Sequence, residues 1–408
     1  MIKNLILIFA VLFFVSCNNN TTYNATFPNG VDSAALKMLD PKKGIYPEIW
    51  GAVGDGKRDN TWALNECSKY IAGLKGVRNV TIYLSGIYRI TDTWTIGTKF
   101  VDLEYAFQYI NFNTPTFSQV DYNLSRYKTN VSIVGTVGSG IYADFDDSTK
   151  LKPAILYTLQ GDTRAGQSIE LYNTVFSNFG VYAKGYLQNG VPTRIGNYQN
   201  NVCGIACLYN TGIKISGCSI IGFKYGLIQN YSYFSKIENV EINKCDVGIF
   251  SYGSASSKLE LVRFSNDKKA MELRSSAVEL STIYTTQCPI SIHVGAGLIT
   301  GTNLYFESYN TGAAQIIIGD DPLDKYYLAG RNGIVDGTAF TNAIVVANKA
   351  DGSGGNSILM KETARKFIIF GGSLQSSNKV STNPLNEIIT LGTLGTFPAP
   401  LCKKIQYQ

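Results

Sequence analysis

His293 is the only histidine in the chain, and imidazole is the side chain best suited to exchange a proton near neutral pH. It ends the run Ile290-Ser291-Ile292-His293, whose phase matches Met271-Glu272-Leu273-Arg274 after a step of 19 residues. One 22-residue step before Arg274 stands Tyr252, and one step earlier Asn230. If these segments are stacked strands, equivalent positions lie about 4.8 Å apart, and Asn230, Tyr252, Arg274 and His293 form one outward column. The chemistry of such a column is proton transfer beside a fixed positive charge. A neutral imidazole accepts the proton, a guanidinium holds an anion, and a phenol donates to a departing oxygen. His293, Arg274 and Tyr252 are therefore the catalytic candidates.

A second column is acidic. Glu238, Glu260 and Glu279 follow one another at steps of 22 and 19, and Glu241 lies under Arg263. Stacked carboxylates repel, so they need Lys236, Lys258 and Arg263 as partners, which makes the column a solvated charge ladder. The alternative is a calcium ion held through several oxygens, with Glu238, Glu260 and Glu279 as its ligands. No other cofactor is expected.

The elements that must position these residues show in the repeat itself. Ile215, Ile237 and Leu259 are 22 residues apart in succession, as are Ile220, Ile242 and Phe264, then Gly226, Gly248 and Ala270, then Leu227, Ile249 and Met271. Apolar residues at fixed phases of a constant step mark a solenoid, in which each coil buries its inward positions only against its neighbours. After the step of 19, which also pairs Phe264 with Ile283, a step of 21 carries Ile283 to Leu304. Forty glycines, 26 tyrosines, 11 prolines and only 16% charged residues suit many short strands joined by polar turns, an all-β chain. Three segments read as loops: Lys184 to Gly212, Gly319 to Gly333, and the aromatic, Asn-rich stretch Tyr105 to Lys128. Long loops on a rigid scaffold commonly wall a binding groove.

The segment Trp50-Gly51-Ala52-Val53-Gly54-Asp55-Gly56-Lys57-Arg58-Asp59-Asn60-Thr61 identifies the architecture. Gly54 and Gly56 suit a turn with positive φ, Asp55 can bond its own backbone there, and Asp59 or Asn60 can cap a following helix. Leu64, Cys67, Ile71 and Leu74 give that helix one apolar side. The run resembles the opening motif of the pectate-lyase superfamily, with Asn60 where a second Asp is usual. Val80-Thr81-Ile82-Tyr83-Leu84-Ser85-Gly86-Ile87-Tyr88-Arg89-Ile90 resembles the strand pair that starts the first coil there. The resemblance implies a right-handed parallel β-helix with an N-terminal capping helix, and makes Asp55 and Asp59 parts of a cap.

It also implies action on polysaccharides, by lyase or hydrolase chemistry. A lyase on a uronic acid must neutralise the C6 carboxylate, remove the C5 proton and protonate O4, and Arg274, His293 and Tyr252 match by residue type. The expected function is β-elimination of an acidic polysaccharide such as pectin, a glycosaminoglycan like chondroitin sulfate, or alginate. Lys258, Arg263, Lys268, Arg331 and Tyr305 are the substrate-binding candidates. A hydrolase needs two carboxyls instead, for which Glu260, Glu279, Glu307 or Asp321 are available. Gly319-Asp320-Asp321 resembles the double-Asp motif of polygalacturonases but lacks that family's accompanying motifs. A non-catalytic, glycan-binding envelope protein is the third reading.

The chain opens with an export signal. Residues 1–16 carry one lysine and an apolar core from Leu5 to Val15, and Phe14-Val15-Ser16-Cys17 resembles a bacterial lipobox. The expected organisation is a signal over 1–16, a lipidated Cys17 and linker over 17–44, and one β-helix domain over 45–408. This implies a protein tethered to the bacterial envelope, at the outer membrane, by acyl chains and not by a transmembrane helix. Besides Cys17, seven cysteines remain, an odd number that suits buried thiols; a Cys203–Cys207 bridge is left open. The net charge of +6, one less once Lys3 leaves with the signal, favours an acidic glycan partner and is far from a nucleic-acid-binding profile.

Overall fold

The computed structural model describes residues 31–74, 79–97, 130–146, 151–158, 174–188, 191–192, 199–208, 210–230, 232–320, 335–349, 351, 353–374, 377–380, 387–393 and 402–404. Cys17 and the signal, the stretch Tyr105 to Lys128, and Asp321 and Arg331 lie outside these residues. The architecture is the expected right-handed parallel β-helix: strands of each coil pair in parallel with the same strands of the next coil. Among the described residues no helix is long and apolar enough to cross a membrane.

Each coil has three faces. In the best-formed coils the first face runs through Lys214–Ser216, Lys236–Glu238 and Lys258–Glu260. The second runs through Ser219–Ile221, Glu241–Asn243 and Arg263–Ser265. The third runs through Phe223–Asn230, Val247–Tyr252 and the start of Lys269–Thr286. One residue in the left-handed conformation makes the corner between first and second faces. Asn178, Gly217, Asn239, Leu261, Thr282, Asn303, Asn342, Gly371 and Gly392 all have positive φ there. The residues before them are in register from coil to coil, so the corners stack. A left-handed residue other than glycine is strained, and asparagine tolerates it best. Asn342 and Asn303 add a side-chain bond between neighbouring corners, Nδ2 donating to Oδ1 at 2.9 Å.

The 22-residue register holds: Ile215, Ile237 and Leu259 pair in succession, as do Ile220, Ile242 and Phe264, and Leu227, Ile249 and Met271. All are buried in one continuous core. The step of 19 is corrected. Met271 pairs with Ile292, Glu272 with His293, and Phe264 with Thr285, two residues away from the expected alignment. Sliding a strand by two residues leaves every side chain on its own side of the sheet, so the apolar pattern fits either register equally well. The step from Ile283 to Leu304 stands.

The N-terminal cap forms as its motif suggests, with two changes. Asp55 Oδ1 accepts the Lys57 and Arg58 N–H groups at 2.8 and 2.9 Å. Gly56 has positive φ. Gly54 is instead required by close approach, since a Cβ there would lie 2.8 Å from Gly86 Cα. Asp59 Oδ1 accepts the Thr61 N–H at 3.0 Å, whereas Asn60 is buried and fastens the turn to Val53, Oδ1 accepting its N–H at 2.6 Å and Nδ2 donating to its carbonyl at 3.0 Å. Helix α1 (Ser33–Met38), capped by Asp32, precedes this turn, and helix α2 (Thr61–Gly73) follows it. Helix α2 closes the core with Ala63, Leu64, Cys67 and Ile71. Part of the expected linker is ordered, as Val31, Leu36 and Leu39 pack on that core.

The expected loop Lys184 to Gly212 is partly strand: Gln199–Leu208 joins the third face between Lys152–Thr158 and Phe223–Asn230. Its outward residues Ala206 and Leu208 are as apolar as its inward ones, so no alternation announces a strand. The described cysteines Cys67, Cys203, Cys207, Cys218, Cys245 and Cys288 are free, buried thiols. Near Cys245 lies a fully buried carboxyl, Asp267, whose Oδ1 accepts the Cys245 N–H at 2.6 Å while Oδ2 has no hydrogen-bond partner among the described residues.

The register makes a direct prediction. Ile242 is fully buried and Glu241, one residue before it, is not. Ile242→Asp buries an unpaired charge at a cost of several kcal/mol, comparable with a domain's whole stability of about 5–15 kcal/mol. Denaturant titration should show that variant unfolded or barely folded and Glu241→Gln close to wild type.

Candidate active site on the third face

The third face holds Tyr252, Arg274 and His293. The segments 98–129, 159–173 and 321–334 each follow the end of one of its strands or the two residues beyond, and 184–198 leads into another. Its outer side is buried. Leu156, Ala206, Leu208, Tyr225, Ile228, Phe250 and Tyr252 form an apolar cluster separate from the core. In the next coils the same columns become charged. Phe250 is followed by Glu272, His293 and Ile317, and Tyr252 is followed by Arg274.

Arg274 organises this charged patch. Its Nε donates to Glu272 Oε1 at 3.0 Å, and its two terminal nitrogens fork onto Asp320, Nη1 to Oδ2 at 2.5 Å and Nη2 to Oδ1 at 3.0 Å. Lys269 Nζ donates to the other Glu272 oxygen at 2.7 Å. His293 Nε2 lies 3.0 Å from Asp320 Oδ1 and 3.0 Å from the Gly319 carbonyl. Glu272, Arg274, His293 and Asp320 are 2%, 5%, 6% and 2% exposed, so the network is shielded from water. Room for the guanidinium comes from Gly295, which the strand pairing skips between Leu273–Val294 and Arg274–Ala296. A Cβ at Gly295 would lie 2.5 Å from Arg274 Nη1.

Asp320 is aimed by its backbone. The Gly319 N–H donates to Val294 O at 2.8 Å, and Gly319 takes a positive φ to turn the chain. The Asp320 N–H donates to Thr363 Oγ1 at 2.7 Å, and the Thr363 N–H returns a bond to Asp320 O at 3.1 Å.

The electrostatics follow from the partners. Burial alone would raise the Glu272 carboxyl, but the charges of Lys269, Arg274 and His293 and the Lys269 hydrogen bond outweigh it and lower it to about 2. Burial likewise opposes ionisation of Asp320, and the bonds from His293 and Arg274 overcome it, holding that carboxyl well below the usual carboxylate range. Both acids are therefore ionised at neutral pH. Both partners of His293 Nε2 are hydrogen-bond acceptors, so that nitrogen carries a proton. In the neutral ring the lone pair then sits on Nδ1, which bonds no described residue.

The sequence candidates separate onto three faces. Tyr252 and Arg274 share a column as expected, while His293 stands in the adjacent column beyond Glu272, joined to Arg274 through Asp320. Lys258 is on the first face, 3.1 Å from Glu279 and 3.8 Å from Glu260. Arg263 and Tyr305 are on the second face. Lys268, just after the second corner, is 2.7 Å from Asp246.

The glutamate column is also corrected, because Glu279 pairs in register with Lys258 and Ser281 takes the place beside Glu260. Glu238 is bonded to both Lys214 and Lys236, and Lys236 reaches Glu260 at 3.1 Å. Each carboxylate thus has an ammonium partner. Among the described residues no group of three or more His, Cys, Asp or Glu side chains is arranged to hold a metal ion. Sequence reasoning passed over Lys269 in the site, Glu272, Gly295 and Asp320. Glu272 lies two residues before Arg274 on one strand and was within reach of strand periodicity, whereas Lys269, five residues before it, has the opposite phase. Asp320 is 46 residues further along, and no local pattern ties it to Arg274.

Two of the solved structures similar to this chain illustrate the likeness. One is ORF18 of Geobacillus virus E2, at 14% identity and a TM-score of 0.55 over 89% of this chain and 62% of that one. The other is the tailspike protein of Escherichia coli bacteriophage HK620 in complex with a pentasaccharide, at 11% identity and a TM-score of 0.53 over 89% and 65%. The chain spans less than two thirds of the length of either, and the likeness is one of fold. The sequence matches no protein-family model and no curated protein.

The network also makes stability depend on pH. The folded-state values of Glu272 and Asp320 lie below their ordinary ones, so their contribution is complete above the ordinary carboxylate range. It is lost as pH falls from about 4.5 through about 2. Asp320→Asn leaves Arg274 short of one charge partner in a dry site, a loss of roughly 3–5 kcal/mol at neutral pH. Urea unfolding between pH 7 and pH 3 should show that loss, together with a shallower acid dependence than in the wild type.

Proposed function

We propose that this is a carbohydrate-active β-helix protein that cuts an acidic, uronate-containing polysaccharide by β-elimination on the third face. The observation that carries the reading is that both site carboxylates are paired with cations, Glu272 with Lys269 and Arg274 and Asp320 with the Arg274 fork. Glycoside hydrolysis by a carboxyl pair requires one of them to be a protonated acid, and Glu272 and Asp320 are both held as anions. The remaining groups are a guanidinium, an imidazole and a phenol, the set that elimination uses. The pentasaccharide bound to the similar HK620 tailspike supports an oligosaccharide as the kind of ligand.

In this reading Asp320 and the Gly319 carbonyl hold the Nε2–H of His293, which leaves Nδ1 to take the C5 proton. A uronate C6 carboxylate is the chemical equivalent of the Asp320 group that Arg274 now grips, and in this reading it displaces Asp320 Oδ2 from the guanidinium fork while Oδ1 stays on His293. Neutralising that carboxylate acidifies the C5 proton and stabilises the developing negative charge. Tyr252, in register with Arg274, donates to O4 as it departs. Lipidation of Cys17 is part of the same proposal and would hold the enzyme at the bacterial outer membrane within reach of extracellular glycans.

The test is incubation with polygalacturonate, alginate and chondroitin sulfate while following the ultraviolet absorbance of an unsaturated product. Reducing ends without that absorbance would indicate hydrolysis, and binding with neither would indicate a lectin-like protein. His293→Gln should lower turnover about a hundredfold or more, the usual size of a general-base effect. Its amide can still donate to Asp320, so its melting temperature should stay close to that of the wild type. Near-wild-type kinetics in that variant would remove His293 from the reaction.

A further inference from the structure

The second face differs from the third in being open. Glu241, Arg263, Tyr284, Tyr305 and Ile344 are consecutive members of one outward column, each in register with the next. Tyr284 is 41% and Ile344 38% exposed, large values for an aromatic and a branched apolar side chain set in a regular sheet. The rings of Tyr284 and Tyr305 lie 6.2 Å apart at 42°. Beside them Glu307 accepts from both Tyr305 Oη at 3.3 Å and Tyr309 Oη at 2.7 Å. Arg263 is exposed, and no ion pair to it occurs among the described residues.

We propose that this column is a second docking surface, which takes an extended acidic polysaccharide chain at a distance from the third-face site. The inference rests on the glycan-active reading given above. Exposed tyrosine faces present flat apolar area to the C–H faces of sugar rings while their hydroxyls reach polar groups. Glu307 fixes the Tyr305 and Tyr309 phenols, so little side-chain freedom is lost when a ligand lies against them. The uncommitted guanidinium of Arg263 supplies the complement to a uronate or sulfate group. The shape also favours a chain molecule. The column is a narrow line one residue wide along the solenoid axis, whereas a stable protein interface covers about 800 Å² on each partner. A polymer seated here would be retained between cleavage events, so the surface would matter for long substrates and not for short ones.

Affinity electrophoresis through gels containing polygalacturonate, alginate or chondroitin sulfate, with dextran as the uncharged control, tests this directly. The wild type should be retarded by at least one of the anionic polymers and not by dextran. Tyr284→Ala should weaken that retardation about tenfold in apparent dissociation constant, the scale of one lost aromatic contact. Tyr284→Phe should preserve it, and Arg263→Gln should weaken it in a way that rising salt makes less visible. Cleavage of a short oligosaccharide should be unchanged in Tyr284→Ala, because that residue lies on a different face from His293. Equal retardation of wild type, Tyr284→Ala and Arg263→Gln overturns the inference, as does a wild type that no gel retards. If short substrates still yield unsaturated product in either case, the third-face reading survives on its own. A sedimentation shift from dimer to monomer in Tyr284→Ala, without glycan retardation of the wild type, would assign the face to contacts between copies and also overturn the inference.

Discussion

Everything in this molecule depends on the parallel hydrogen-bond ladder between coils, and the ladder depends on corners that repeat in step. A coil has no core of its own. Its inward residues become buried only when the coils above and below supply the other half, so a register error propagates to every neighbour. The stacked left-handed residues between first and second faces bring the chain back to the same phase each turn. That explains why strained, non-glycine residues such as Leu261 and Thr282 are kept there.

The same constraint decides where chemistry can reside. A one-residue corner leaves no slack between the first and second faces, whereas the described connections into and out of the third face are longer and vary in length. The outer side of that face is accordingly the one that changes along the axis from an apolar cluster around Phe250 to a charged one around Arg274. Charges there are costly to bury unless each has its partner, and Arg274 meets this by distributing its donors over Glu272 and Asp320. The result is rigid. Glu272 comes from the same strand and Asp320 from the turn at the far end of another, so the guanidinium ties distant parts of the sequence together.

How much of this could be read in the sequence depended on the kind of information each feature needs. The coil repeat from Ile215 to Met271 and the capping segment around Asp55 are local or periodic, and both were legible. The alignment of His293 was legible only to within two residues, since strand alternation cannot tell Arg274 from Glu272 as its neighbour. The strand Gln199–Leu208 escaped because it is apolar on both sides and sits among asparagines. Asp320 escaped for a different reason: its place beside Arg274 is set by Gly319, Thr363 and the stacking of later coils, and no short window contains all of them. Residue type suggested a cationic site, but its counter-charges came only from the three-dimensional structure.

Asp267 gives the fold a partner that no residue list contains. Burial pushes its carboxyl well above the ordinary carboxylate range, against the opposing bond from Cys245. Burial therefore favours the neutral form of this group. Between the ordinary value and the raised folded one, the folded chain holds a proton that the unfolded chain would release, so in that range the proton is as much a component of the core as Phe264 or Cys288. Because the folded-state value is raised, this contribution is complete below the ordinary value of 3.8 and drains away as pH climbs through the folded one. The Arg274 network runs in the opposite direction. Falling pH weakens the outer patch and rising pH weakens the interior, so the solenoid is at its firmest in a band of pH set by two sites with opposite protonic demands.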